Sequence, residues 1–290
     1  MKTKLDYYRV FFETARFGSF SVAAKHLYVS QSAISQCIQQ LENDLGVQLF
    51  IRTRKGVSLT GEGKILFSKV ESAITSIEQG ETQLQKLRHL EAGELKIAAG
   101  DTITKHFLLQ YLEKFHDLYP DIRIEMANSY SSQMASLVKE GNADLAFVNM
   151  PLKDDELVIE PCCQINDIFV CGADFRHKSS CSWEEVADLP LILLEKNSSS
   201  RSFLDSTFKK KGIQLNPQLE MAAHDLLLRF ASIHLGVSCV VEEFSREELE
   251  KGLIKKLPLN PPLPKRNIGC AYLKNAPLSY AARAFIDLVR

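Results

Sequence analysis

Apolar positions in the first part of the chain recur at helical spacing, punctuated by residues that suit helix ends. Leu5, Tyr8, Phe12 and Ala15 share one face, with Thr3 placed as N-cap and Gly18 as terminator. Ser19 and Ser21 can cap a short second helix with Val22, Ala23, Ala24 and Leu27 on its inner face, where the two alanines permit a steep helix crossing. After a break at Tyr28 and Val29, Ser30 can cap a third helix from Gln31 to about Leu45, closed by Gly46. Ile34, Ile38, Leu41 and Leu45 form its apolar face.

The opposite face of that third helix carries Gln31, Ser32, Ser35, Gln36 and Gln39. A merely solvated face would more often show Lys and Glu pairs. Amides and hydroxyls, with Ser30 at the amino-terminal end, suit base edges and phosphates in a major groove. The segment "LFIRTRKGVSLT" then predicts a hairpin with Arg52, Arg54 and Lys55 at or near its tip, able to rest on the sugar-phosphate backbone or a minor groove. Three helices and a basic hairpin in this order make a winged helix-turn-helix over residues 1–60.

Thr60 can cap a long helix over residues 61–90, with Glu62 favourably placed near its start. Val70, Ile77 and Leu84 repeat every seventh residue, and Leu66, Ala73, Gly80 and Leu87 run beside them, a coiled-coil seam weakest at Gly80. Pairing with a second copy would cover the seam. The alternative is an amphipathic helix packed on its own domain.

Beyond Gly93 strands and helices alternate: "ELKIAA", "FLLQYLEKFHDLY", "IRIEMA", "SSQMASLVKEG", "ADLAFVN", then "DIFVCG", "LPLILLE", "SRSFLDSTFKKKG", "HDLLLRFASIHLG" and "VSCVVEE", with a returning strand "IGCAYL" and a closing helix "LSYAARAFIDLV". This α/β pattern predicts mostly parallel sheet with helices on its faces. A chain that crosses to a second lobe and returns leaves a cleft between the lobes. Open parallel sheets bind ligands at the carboxyl ends of their strands, which selects the loops 100–104, 128–132, 149–150 and 197–201. Their hydroxyl and amide groups, three of the loops leading into helix amino termini, favour a carboxylate or similar small anion.

Charge sharpens the division. The whole chain of 290 residues carries a formal −1, but residues 1–60 hold eight Lys and Arg against four Asp and Glu, leaving the remainder acidic. A basic head on an acidic body fits phosphate attraction. Composition, 45% hydrophobic and 24% charged, is that of a globular protein. No signal peptide and no apolar run of membrane-spanning length is visible, so a cytoplasmic location without membrane contact is expected. The seven cysteines are odd in number and lack paired two-residue spacing, which argues against a zinc site or a disulfide framework. They read as reduced thiols, mostly buried small hydrophobes; the alternative is a redox switch through Cys162, Cys163 or Cys171, where no neighbouring residue in the sequence would lower a thiol pKa.

The run "GSFSVAAKHLYVSQSAISQCIQQLENDLGVQLFIRTRKGVSLTGEG" closely resembles the amino-terminal signature of LysR-type transcriptional regulators, without a gap over more than forty residues. Ser32 stands where that family very often has proline, a harmless exchange in a first helical turn. Gln36 stands where it commonly has arginine, which removes a charge aimed at DNA. The resemblance implies a dimer, often a tetramer, on double-stranded promoter DNA, with RNA polymerase as a further partner. It implies a two-lobed effector domain over 91–290, similar in fold to periplasmic solute-binding proteins, one lobe 91–161 with 266–290 and the other 162–265. No cofactor is implied beyond a small-molecule effector. The family pattern narrows the effector residues to Thr102 and Ser131 in the first lobe and Ser198, Ser199 and Ser200 in the second. Ser129 and Asn149 join them from the loops, as does Gly100, which departs from the family's usual Ser or Thr. His224 is a further candidate, its alternative being a plain surface histidine.

A non-enzymatic switch, in which a cleft ligand reorients the lobes, is therefore expected. An enzyme with an appended head lacks a glycine-rich phosphate loop, a metal-ligand cluster and a nucleophile elbow in the sequence. A solute-binding protein leaves the first ninety residues unexplained.

Overall fold

The computed structural model describes residues 3–53, 56–128, 131–176 and 180–290. The chain divides into two compact units, Met1–Lys86 and Leu87–Arg290.

In the first unit α1 (Leu5–Phe17), α2 (Phe20–His26) and α3 (Gln31–Leu45) precede an antiparallel hairpin of β1 (Phe50–Thr53) and β2 (Gly56–Leu59), and α4 spans Gly61–Arg88. Gly18 and Gly46 end α1 and α3 in the left-handed region, at φ 59° and 70°. Ser19 accepts the Val22 N–H, Ser30 the Ala33 N–H at 3.2 Å, and Thr60 the Gly63 N–H at 2.9 Å. Thr3 does not cap α1. Lys4 occupies that position without a side-chain bond, and Thr3 is buried. Because α2 starts at Phe20, its helical phase turns Phe20, Ala23 and Ala24 inward and leaves Val22 exposed. Leu45 is exposed as well, where the chain turns away at Gly46.

The core of this unit is aromatic at its centre, with Phe11 and Phe20 against Phe50 at ring separations of 5.3 and 5.8 Å, closed by Ile34, Ile38, Leu41 and Leu49. The Glu42 carboxylate accepts the N–H groups of Leu49 and Phe50, at 2.7 and 3.2 Å, and so ties α3 to the first strand. Gly56 has φ 132°, and a Cβ there would lie 2.6 Å from the Gly18 carbonyl oxygen. Only glycine lets the hairpin close on the end of α1, where the Val57 N–H reaches that same oxygen. Along α4, Val70 is buried in this core, with Leu66, Phe67 and Ile74 packed beside it. The first part of the heptad seam thus packs on its own domain. Ile77, Leu84 and Leu87 are exposed in the single chain.

The second unit runs β3 (Glu94–Ala99), α5 (Asp101–Ile103), a π-helical turn (Thr104–Leu108), α6 (Leu109–Leu118), β4 (Arg123–Ala127), α7 (Ser131–Lys139), β5 (Leu145–Asn149) and β6 (Leu157–Ile165). It continues with β7 (Asp167–Gly172), α8 (Trp183–Ala187), β8 (Leu191–Leu194), α9 (Ser199–Lys209), β9 (Leu219–Met221), α10 (His224–Ser232) and β10 (Val237–Val241). A 3-10 turn (Glu242–Phe244), α11 (Arg246–Glu250), β11 (Ile254–Leu257), β12 (Arg266–Leu273) and α12 (Tyr280–Val289) complete it.

Two five-stranded sheets result, ordered β4-β3-β5-β12-β6 and β11-β7-β10-β8-β9. In each, the three strands joined through helices are parallel, and the strands nearest the crossings pair antiparallel. The sheets are therefore mixed rather than mostly parallel. Both faces of each sheet are covered. In the first lobe Phe115, Phe147 and Phe285 pack on one side and Met134, Val138 and Val148 on the other; in the second, Phe169, Phe208 and Trp183 oppose Val170, Leu227 and Leu228.

The outward crossing lies at Asn166, not at 161–162, because β6 stays in the first sheet through Ile165. Pro161 sits opposite Gly269, where the register shifts, and a proline tolerated at such an irregularity does not end the strand. Asn166 is held to the end of β10: its N–H and side-chain amide both donate to the Glu243 carboxylate, and its carbonyl accepts the Glu242 N–H.

Candidate DNA-reading face and interlobe cleft

On α3, Gln31, Ser32, Gln36 and Gln39 are exposed and Ser35 is half-buried. Ser30 is committed to its cap and to a 2.8 Å contact with the Ser32 hydroxyl. Gln31 accepts a hydrogen bond from Ser21 through Oε1 at 3.0 Å, which leaves its amide NH2 as the group to offer outward. Ser21, in sequence terms only a possible cap, thus orients the Gln31 side chain. Arg52 is exposed on β1 with its guanidinium 5.1 Å from the centre of the Phe20 ring, a cation-π contact that fixes its direction. Arg54 and Lys55 lie outside the described residues.

In the second unit a cleft of about 760 Å3 opens between the lobes. Gly100, Thr102, Asn149, Ser198, Ser199, Ser200 and His224 all line it. Ser131 begins α7, while its side chain and all of Ser129 lie outside the described residues. Gly100 is the N-cap of α5 and has only backbone to offer. Arg201, at the end of the loop 197–201, is instead buried and bonded to Asp205, Glu220 and the Leu194 carbonyl.

The floor of the cleft is a residue that no sequence motif marks. Arg266, the first residue of β12, is 4% exposed. Two of its nitrogens donate to the Asp167 carboxylate, a third to Asn149 Oδ1, and Nη2 also reaches Ser200 Oγ at 3.1 Å. Asn149 in turn donates to Ser199 at 3.3 Å. Residues from β5, the crossing and α9 therefore meet on one guanidinium, bidentate toward its carboxylate. The only signal in the sequence is an arginine opening the returning strand.

At one end of the cleft lies a second cluster. Lys105 and His106, in the π-helical turn of the first lobe, face His224 and Asp225 at the start of α10 in the second. Lys105 pairs with Asp225 Oδ2, and His106 Nε2 lies 3.5 Å from Oδ1. Hydrogen bonding to Lys105 holds the Asp225 carboxyl below its usual range. His224 is not a surface histidine: it is 4% exposed, and burial, aided by repulsion from His106, brings its pKa down to about 4. Its Nε2 accepts the Val241 N–H at 3.3 Å, so the neutral ring carries its proton on Nδ1.

The ligand-type atoms of His106, His224 and Asp225 lie within 4.8 Å of one another, a cluster the sequence spacing does not disclose. The tautomer argues against a metal there. A ligating Nδ1 would require a proton on Nε2, facing the Val241 N–H, whereas metal-bound histidines donate their second N–H to an acceptor. The described cysteines are all free. One departs from expectation: a hydrogen bond from Cys270 pulls the Cys162 thiol below its ordinary range, while Cys270 itself is pushed up. No helix among the described residues is long and apolar enough to cross a membrane.

Comparison with known proteins matches both units. Residues 5–64 match the model described as bacterial regulatory helix-turn-helix protein, lysR family, and residues 88–290 the LysR substrate binding domain. The uncharacterized HTH-type transcriptional regulator YeiE of Escherichia coli is 25% identical, covering 99% of this chain and 97% of its own. The HTH-type transcriptional regulator CysB of Burkholderia cenocepacia is 29% identical over 80% of this chain and 75% of its own. Among solved structures, full-length OxyR from Pseudomonas aeruginosa has a TM-score of 0.82 at 20% identity, covering 99% of this chain and all of that one. Full-length CbnR complexed with its target DNA has 0.64 at 20%, covering 99% of each. The chain therefore belongs to the LysR family of DNA-binding transcriptional regulators, proteins that are not enzymes, and joins that family's helix-turn-helix head to its substrate-binding domain.

Proposed function

We propose that the protein is a ligand-responsive regulator that binds promoter DNA as a dimer or tetramer and changes its grip on DNA when a small carboxylate enters the interlobe cleft. The observation that carries this reading is the Arg266 network. It ties Asn149 of the first lobe to Ser200 of the second and to Asp167 at the crossing, so a ligand competing for any of these groups alters how the lobes are held. A ligand shifts such an equilibrium only by its difference in affinity for the two arrangements.

Backbone N–H groups at the starts of α5 and α9, beside Thr102 and Ser198 to Ser200, favour a carboxylate. The ionisable side chains on the cleft wall limit its charge. Asp101, Asp167, Glu195 and Asp225 outnumber Lys105 and Arg266, which favours a monoanion over a polyanion. Oligomerisation is supported by the exposed Ile77, Leu84 and Leu87 along α4, which a second copy would cover. Symmetric pairing places two α3 helices on half-sites related by a dyad. Bases are read by Gln31, Ser32, Ser35, Gln36 and Gln39, and phosphates are held by Arg52, Arg54 and Lys55.

The test is a footprinting titration on promoter DNA with and without small monocarboxylates. The expected result is a change in the length or spacing of protection at an effector concentration that also raises the melting temperature. Identical protection under every condition that raises the melting temperature would refute the switch.

A further inference from the structure

We propose that the slot between His106, His224 and Asp225 receives a hydroxyl group of the effector, which makes the effector a small hydroxy-monocarboxylate; this rests on the carboxylate reading above. Three observations converge. His224 Nδ1 and His106 Nε2 are buried without a hydrogen-bond partner among the described residues. Both lie near Asp225 Oδ1, at 4.0 and 3.5 Å, too far to bond it well and close enough to share one atom placed between them. The slot adjoins the cleft, whose wall includes Lys105, His224 and Asp225.

Spacing decides the size of the guest. Three atoms separated by 3.5 to 4.8 Å can each lie about 2.8 Å from a single oxygen slightly out of their plane. A metal at about 2.1 Å sets its tetrahedral ligands only about 3.4 Å apart and would require the slot to contract.

Hydrogen-bond inventory decides its chemistry. His224 Nδ1 offers a proton, because Nε2 already accepts from Val241. Asp225 Oδ1 only accepts. A hydroxyl meets both, accepting from His224 and donating to Asp225 or His106. An ammonium has no lone pair for His224, and a carboxylate would place its charge against Asp225.

Geometry supports the assignment from both lobes. His106 sits in the π-helical turn, a widening that commonly marks functional positions, and its ring stacks on Phe244 at 5.1 Å. His224 and Asp225 come from the other lobe, so an occupied slot bridges the two.

Isothermal titration of the full-length protein tests this with butyrate and hexanoate, their hydroxy derivatives including gluconate, and the matching amino acids. For at least one skeleton the hydroxy acid binds about tenfold tighter than the unsubstituted acid, the factor one hydrogen bond contributes, and the amino acid gains nothing. In His224→Phe that preference falls to about one; if this variant does not fold, His106→Phe, which keeps the ring on Phe244, carries the same measurement. Equal binding of hydroxy and unsubstituted acids overturns the slot and leaves the carboxylate reading standing. No binding by any carboxylate overturns both. A hydroxyl preference that survives substitution, or zinc binding abolished by His224→Phe, also overturns the assignment.

Discussion

The proposed DNA-reading face and the interlobe cleft are built on opposite principles. The polar residues proposed to read bases lie within a few helical turns of one another on α3, where a cap at Ser30 and a terminator at Gly46 fix the helix and every third or fourth residue shares a face. The cleft collects partners from across the chain. Arg266 meets Asn149 from 117 residues away, and Lys105 meets Asp225 from 120 residues away. The first face is exposed and locally specified. The second is half-buried, charged and dependent on the whole fold, so damage to it costs more.

The largest expected effect tests that asymmetry directly. Arg266→Met leaves the Asp167 carboxylate buried and unpaired, with an expected loss of about 3–5 kcal/mol in denaturant unfolding of the second unit. A loss below about 1 kcal/mol would place the pair among ordinary surface contacts and erase the contrast.

Next comes His224. In the folded chain its imidazole stays neutral down to about pH 4, whereas an unfolded histidine takes up its proton below about 6.5. The stabilisation is complete above pH 6.5 and declines as pH falls toward 4, by about 3 kcal/mol at most. His224→Phe flattens this slope in unfolding curves measured across that window. An unchanged slope would assign the acid sensitivity to other groups.

On the head the effects are smaller and concern discrimination. Ser35→Ala and Gln36→Ala should each reduce the preference for operator over random DNA by about 1–3 kcal/mol. Arg52→Ala should weaken both and lower the salt slope by about one. Equal behaviour of the three variants in a salt titration would undo the division between helix and hairpin.

The smallest effects are local backbone ones. Ser30→Ala removes a cap worth about 1 kcal/mol. Tyr28→Asn should instead raise the melting temperature, since Tyr28 holds φ 55° with its ring 95% exposed, a conformation costing a side chain about 1–2 kcal/mol. A lowered melting temperature would show that the ring has a packing role the exposure conceals.

How much was legible in the sequence follows the same contrast. The bounds of α3 and of the strands "ELKIAA" and "DIFVCG" are legible in the sequence as they stand, because caps and apolar runs act over a few residues. The short elements α8, β9, α11 and β11, three to five residues each, escaped because so few positions display no period. The lobe boundary implied by the resemblance, at 161–162, falls inside β6, which carries Pro161 and stays paired in the first sheet.

The sequence by itself determined the helix-turn-helix and hairpin, the alternation of strands and helices and the loops that line the cleft, which rest on local periodicity and turn chemistry, whereas the two-lobed plan and its bounds came from the family resemblance. Only the tertiary structure decided that Arg266 closes the cleft floor, that His224 is buried and neutral, and that Leu66 and Val70 of the long helix's seam are spent on its own head. Those outcomes depend on burial and on charges brought together from distant positions, and a one-dimensional pattern carries neither.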